Sequence, residues 1–553
     1  MPSLPDQANL EHLKKQAKDL LRLHRSGDPG GIARFGRHLP SAAKLPPGEV
    51  AAQPFRLHDA QSCLAREYGF VSWPELTAYV KAQSLARGEQ TARIGTWLAL
   101  VYGGDVTGSY NLARPRIAAR LLHDMPGLLA GDVYAACAAG DEAALHRAVS
   151  ADPAWVDRPG GALNLPPLVA VTHSRLMQLP DFRDRLRGSA RMLLQAGADP
   201  NQAIGNRFPP ASLAAPDEGA RLSALYGAAG VNRDPAMTQL LLDAGADPDD
   251  GESLYHSLEN PDCTRLLLRH GARVNGTNAL RRALDMPEPA ALELLLAHDA
   301  DPNEPASGPP TDFWGPPLLR AIALRRSARH VQALLAAGAA PAARTQDGIS
   351  AYRLASQAGL PEVAELLRAA GAAEQLSEDE QFVAACARAD VAEARRIQAG
   401  RPDLPASLTP AQLRLLPDTV AWGSDAAARL MVELGWPIAV RGGDWDATAL
   451  NLAVLRGDAE LTSFLLAHGA SWQERHGYDS DVLGTLAWTS LNEPVADGDW
   501  AGCARALLRY GMPKAEADPT DPKRVLIDGR TGRFSPDVIA VLLGAEDSRP
   551  DTR

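Results

Sequence analysis

One short string recurs along this chain and limits what the chain can build. Its clearest copy is RMLLQAGADPN, Arg191 to Asn201. Met192, Leu193 and Ala196 give an apolar face at helical spacing, Gly197 can end a helix in the left-handed conformation, and Asp199-Pro200-Asn201 opens a turn. The string is therefore a helix stop followed by a reversal. It returns as LLLDAGADPD ending at Asp249, LLLRHGARVN at Asn275, LLLAHDADPN at Asn303, LLAAGAAPA at Ala342, LLRAAGAAE at Glu374 and FLLAHGASW at Trp472. A chain of 553 residues punctuated this way is predicted to stack, each unit burying its face against its neighbours.

Ahead of most copies lies a second unit, seen as Pro166-Pro167-Leu168, Ser223-Ala224-Leu225 and Thr448-Ala449-Leu450. The two units together resemble the ankyrin repeat, whose period is about 33 residues. Gly338 to Gly371 spans 33 residues, Gly435 to Gly469 spans 34, and the resemblance covers roughly residues 132–545. It implies an all-α, ankyrin-like helical solenoid that binds a macromolecule, most readily a protein, without catalysis. The family's usual His after the Leu is replaced, for example by Tyr226, Tyr255 and Asn451. That His ties neighbouring turns together in typical members, so the loops here must be held in another way.

Residues 1–82 lie outside the repeat pattern. Leu10, Leu13, Ala17, Leu20 and Leu21 predict an amphipathic helix with Lys14, Lys15 and Lys18 on its polar side. After a Gly/Pro-rich stretch from Ser26 to Ala52, two more helices are expected, broken at Gly69-Phe70. LKKQAKDLL with DAQSCLAREYGFVSW resembles an N-terminal module of bacterial ankyrin-repeat proteins that carries no assigned activity. It is expected to cap the first repeat. Connecting helices follow over 83–131, then a first array over 132–375, a second over 376–545, and a disordered tail over 546–553. The second array begins where FVAACARADVAEARRIQAGRPDLP echoes VYAACAAGDEAALHRAVSADPAWVD about 249 residues later.

Repeat length varies mainly in the projecting turns. From Leu to Gly the helical part takes 20 residues at Leu225–Gly245, 20 at Leu318–Gly338 and 19 at Leu450–Gly469. The projecting fingers take 28 residues at Gly197–Leu225, 9 at Gly245–Leu254 and at Gly271–Leu280, 19 at Asp299–Leu318 and 17 at Gly469–Leu486. Insertions on one face of a scaffold commonly carry binding. The long fingers hold Arg207 and Phe208, then Phe313 and Trp314, then Trp472, His476 and Tyr478, and RGGDWDATAL puts Trp445 at a finger tip between two acids. Aromatic residues and Arg dominate interface energetics, so these eight are the predicted partner-binding set. Two inserts, within Leu168–Gly197 and Leu486–Gly511, fall between helices instead.

Other chemistry finds little support. The formal net charge of -11 disfavours nucleic acid as a partner, although the three lysines of the first helix keep that alternative open. No apolar run approaches a membrane span and no signal pattern opens the chain, so a cytoplasmic location and no membrane contact are expected. Cys63, Cys137, Cys263, Cys386 and Cys503 lack metal-ligand spacing and are expected to be buried. No cofactor and no metal site is expected, and the working form is read as a monomer. No hydrolase, zinc or phosphate-loop motif is present. A cryptic hydrolase would require His173 or His476 to meet an acid and a nucleophile. His270, His298 and His468 stand just before the helix stops, where they suit the last carbonyls.

Overall fold

The computed structural model describes residues 4–5, 8–86, 88–305, 315–443, 445–492, 494–495, 497–519, 521 and 524–544. Within them the recurring string folds as its residues dictate. The second helix of a pair opens on an Asp cap, as where Asp234 accepts the Met237 N–H (2.8 Å) and Asp458 that of Leu461 (2.8 Å). These caps satisfy amide groups that a helix start leaves without partners. The helix closes on a left-handed glycine: Gly197, Gly245, Gly271, Gly338 and Gly469 have φ of +94°, +93°, +92°, +97° and +98°. In the copy without glycine, Asp299 adopts φ +61°. His270, His298 and His468 each place Nδ1 2.8 to 2.9 Å from the carbonyl four residues back, the helix-end role read from their position.

The residue that ends the string does more than turn the chain. The Asn201 side chain accepts the Asp247 N–H (2.7 Å) and donates to the Gly245 carbonyl (3.5 Å), reaching the stop turn of the next repeat. Asp157 accepts the Asp199 N–H (2.8 Å), Asp249 that of Arg273 (2.7 Å), and Asn275 donates to the Asp299 carbonyl (3.1 Å). Asn303 accepts the Ala340 N–H (2.8 Å) and donates to the Gly338 carbonyl (2.9 Å). Each staple joins the same points of two consecutive turns.

The chain forms two compact units, residues 1–283 with 293–300, and residues 284–292 with 301–553. In the first, helices Leu10–Arg25, Pro29–His38, Pro47–Ala52, Leu57–Glu67 and Trp73–Leu85 enclose Leu13, Leu20, Phe35 and Leu64. Two of these helices lie inside the Gly/Pro-rich stretch. Proline at the start of each and the Asp28 cap, which accepts the Gly31 N–H (2.7 Å), set them going. The module packs on helices Gln90–Val101 and Pro115–Asp124, and those pack on the first repeat. Two layers of helices thus precede the first repeat. Arg120 joins them, lying 4.1 Å over Phe70 and 5.1 Å over Tyr79 while donating to the Tyr68 carbonyl (3.0 Å). Tyr102, fully buried, donates to the Ala170 carbonyl (2.7 Å) and anchors the connecting helices to the array.

In the second unit helix pairs run from Pro317–Ala323 with Ala328–Ala336 to Val482–Asn492 with Trp500–Arg509. Helix Glu378–Ala387 packs against Ala351–Gln357, and Arg353 bridges Glu374 (2.8 Å) and Glu380 (3.3 Å), so stacking continues through Glu374–Gln381. In the repeat where Asn451 stands in place of the usual His, Asn451 itself holds the loop. Buried at 1 % exposure, it donates to Thr448 Oγ1 (3.1 Å) and the Glu474 carbonyl (3.3 Å) and accepts the Thr485 hydroxyl (2.8 Å). The last pair is covered by a three-stranded sheet, Glu516–Ala517, Arg524–Ile527 and Arg530–Arg533, and by helix Pro536–Leu542. The repeat pattern held no sign of that sheet. The tail at 546–553 lies outside the described residues. Helices dominate, and the architecture is an all-α solenoid of stacked helix pairs.

Replacing Asn451 with Leu keeps the branched outline but removes the bonds to the Thr485 hydroxyl, the Thr448 hydroxyl and the Glu474 carbonyl. Urea unfolding should show a loss of about 2 kcal/mol, and a loss below a few tenths would rule out the tethering role.

Candidate functional site

The fingers are short hairpins that leave the stack at the stop turns. The longest pairs Ala203–Asn206 with Asp217–Ser223, in register Ala203 to Ser223, with an irregularity at Gly205/Asn206. Two later fingers close at Arg441–Gly442 with Ala447–Thr448 and at the bridge Arg475 to Asp481. Which side chains they expose is decided by what lies beneath them.

Arg207 does not face outward, which corrects the sequence expectation. It is 4 % exposed and its guanidinium donates to the carbonyls of Val106 (3.1 Å), Leu163 (2.6 Å) and Asn164 (3.3 Å). Those carbonyls belong to irregular turns with no ladder partner, and an Arg fork is well shaped to satisfy several at once. Phe208 stays out at 47 % exposure and meets Tyr110 edge to face, centroids 5.5 Å apart. Tyr110 (77 %) and Leu112 (81 %) were absent from the predicted set. Asn111 between them fixes the loop: it donates to the carbonyls of Ala99 (2.6 Å) and Tyr102 (3.2 Å) and accepts from Thr107 Oγ1 (2.6 Å). With the central residue turned inward, its two neighbours are held in water. The alternation Tyr-Asn-Leu after a Gly-rich turn was the available signal.

Phe313 and Trp314 lie outside the described residues. Trp472 is a further correction: it is buried, in the core that includes Leu450, Leu465 and Leu486. Just past the stop turn the chain folds onto the next repeat, and a large apolar ring there goes under it. His476 is buried too, with its Nδ1 accepting the Tyr478 N–H (3.2 Å) and its own N–H donating to the Ser480 carbonyl (3.0 Å). Burial, helped by Arg441, pushes its imidazole below the ordinary histidine range.

Trp445 is half-buried and forms the hub of an aromatic cluster. Trp488 stands at 85° to it with centroids 6.3 Å apart, Tyr478 at 79° and 6.4 Å, and His476 lies 6.1 Å away. Tyr478 is 73 % exposed and Trp488 51 %. Trp488 comes from the helix Val482–Asn492 and was not in the predicted set. The Gly477 N–H donates to the Trp445 carbonyl (2.8 Å), joining the two finger tips. A Cβ at Gly477 would sit 2.8 Å from that oxygen, so only glycine allows the approach. Three ion pairs surround the cluster: Arg441 with Asp446 (2.7 Å), Arg475 with Asp479 (2.7 Å) and Arg530 with Asp481 (2.8 Å).

His173 is 1 % exposed, with Nδ1 3.2 Å from the Val169 carbonyl and 3.4 Å from Thr172 Oγ1. Among the described residues neither His173 nor His476 has a carboxylate within hydrogen-bond distance, and no group of three His, Cys, Asp or Glu side chains is placed to hold a metal. All five cysteines are buried and unpaired. Lys14, Lys15 and Lys18 are exposed, Lys14 in an ion pair with Glu11 (2.6 Å). No helix is long and apolar enough to cross a membrane among the described residues. A groove of about 1350 Å³ in the first unit is lined by Arg120, Arg147, Arg185, Asp132, Asp141 and Asp181 among others. Of these, Asp132 and Asp141 serve as helix caps and Arg120 as the bridge described above.

Stapled helix pairs of constant thickness, with fingers that present aromatic side chains, define an ankyrin-like helical solenoid. No family model matches the chain, and no curated protein matches it. Among solved structures it is similar to the human ASB11 ankyrin repeat domain, at 20 % identity over 43 % of this chain and 99 % of that one, TM-score 0.21. It is also similar to the ankyrin repeat domain of Bcl-3, at 19 % identity over 49 % and 99 %, TM-score 0.21.

Two measurements check these assignments. Arg207→Ala should cost about 2 kcal/mol of unfolding free energy, since one buried and two part-buried carbonyls lose a charged donor; an unchanged urea midpoint would return Arg207 to the docking set. Burial lowers the His173 pKa to about 4 from an ordinary 6.5, so the native state holds it neutral. Its contribution is complete above pH 6.5 and declines as pH falls from 6.5 toward 4, by up to about 3 kcal/mol. A His173→Gln variant should lack that portion of the acid sensitivity in stability curves taken over the same window.

Proposed function

We propose that the chain is a non-catalytic scaffold that docks a protein partner on its fingers. The observation that carries this reading is the cluster of Trp445, Tyr478 and Trp488, two of whose rings are more than half exposed although they touch a third. Leaving large rings in water is unfavourable by roughly 25 cal/mol per Å², and solvated aromatic patches of this kind commonly mark interaction sites. The rings are already ordered against one another, so little side-chain entropy remains to be lost on binding. Tyr110, Leu112 and Phe208 form a second such patch in the first unit. Phe313 and Trp314 join the proposal on their sequence position alone. The same reading takes the working form as a cytoplasmic monomer.

Affinity purification of the chain from its native cells tests the reading, comparing wild type with Tyr478→Ser and Trp488→Ser. Both side chains are exposed, so the variants should keep the wild-type circular dichroism. A protein held by wild type should be lost from each variant, because an anchor of this type contributes about 2 kcal/mol, roughly thirty-fold in affinity. Equal recovery from all three would overturn it.

A further inference from the structure

The chemistry of the aromatic cluster also bears on what the partner brings to it, an inference that rests on the docking reading above. Trp488 and Tyr478 stand nearly perpendicular to Trp445, at 85° and 79°, so faces of different orientation are gathered at one corner. Aromatic faces are the negative ends of their quadrupoles and attract cations. Elsewhere in this unit the protein covers such faces with its own arginines: Arg325 lies 4.4 Å over Trp422, and Arg429 lies 4.6 Å over Phe464. Among the described residues no arginine or lysine lies over Trp445, Tyr478 or Trp488. The arginines nearest in sequence are held by carboxylates, Arg441 by Asp446 (2.7 Å) and Arg475 by Asp479 (2.7 Å).

The surrounding charge has the matching sign. In sequence, residues 441–499 carry ten Asp and Glu, of which Asp444 and Glu493 lie outside the described residues, against three Arg; with Arg530, which pairs with Asp481, the balance is a formal -6. An acidic field around aromatic faces draws in and then holds a cation. We propose that the corner of Trp445, Tyr478 and Trp488 receives a cationic side chain, arginine foremost, from a basic segment of the protein partner. Arginine fits best because its guanidinium is planar and more weakly hydrated than an ammonium group, so it stacks on a ring at lower desolvation cost.

The full chain is titrated with a peptide of alternating Arg and Gly, and with its Glu and Gly counterpart, following tryptophan emission. The basic peptide should bind and shift the emission, the acidic one should not, and Tyr478→Leu and Trp488→Leu should each weaken binding about fivefold. These variants change no charge, so attraction to the acidic field alone would leave their affinity at the wild-type value; that result overturns the proposal, as does equal binding of the acidic peptide. If the basic peptide fails to bind while Trp488→Ser still releases the co-purified protein, the cation assignment is wrong and the docking reading stands. If neither effect is seen, both are wrong.

Discussion

The stack depends on a hydrogen bond that crosses from one stop turn to the next. In Asn201, Asn275 and Asn303 an amide, and in Asp157 and Asp249 a carboxylate, links equivalent points of consecutive repeats. Each such bond is worth only about 1 kcal/mol, and most lie near water. Their importance is geometric. By fixing the distance between turns they hold the helices at a constant separation, which is what a core of small residues such as Ala228, Ala279 and Ala321 requires. Where the helical part is longer, as at Leu168–Gly197, the stop turn still keeps its staples to Asp157 and Asp247.

That constraint stops at the stop turn, and everything beyond it is free to vary. The finger between Gly197 and Leu225 therefore takes a full hairpin where its neighbours take a tight bend. Freedom of length is not freedom of conformation, however. The finger tips at Trp445 and Gly477 are joined backbone to backbone, and the loop around Asn111 is tied to two carbonyls of the preceding helix. The exposed rings are thus carried on supports as well defined as the helices. A rigid, partly solvated aromatic surface is what a docking site needs in order to lose little entropy on binding.

The periodic part of this design was legible in the amino-acid order. Stop glycines, Asp caps and the positions of His270, His298 and His468 follow from local rules, because their partners lie within one turn. The resemblance to ankyrin repeats likewise foretold the solenoid. What was not legible depends on distant neighbours. Arg207 and Trp472 have the composition of docking residues, but the first is claimed by carbonyls more than 40 residues away and the second by the core of the next repeat. Tyr110, Leu112 and Trp488 show the reverse case, with exposure set by an inward Asn and by a helix face that no later element covers among the described residues. The closing sheet at 516–533 escaped because it follows no repeat rule.

The contrast between arginines suggests why the cluster remained open. In a solenoid of this kind irregular turns create surplus carbonyls, and an arginine within reach is drawn to them, as Arg207 is, or Arg326 to the Leu284 carbonyl (2.5 Å). One arginine can do both, as Arg325 does, donating to the Ala358 carbonyl while lying over Trp422. At Trp445 the nearby arginines are removed from play in a third way, by acids of their own fingers. Asp446 and Asp479 thereby keep the protein's own cations off the rings. The acids of this stretch beyond those paired with arginine leave it with a net negative charge.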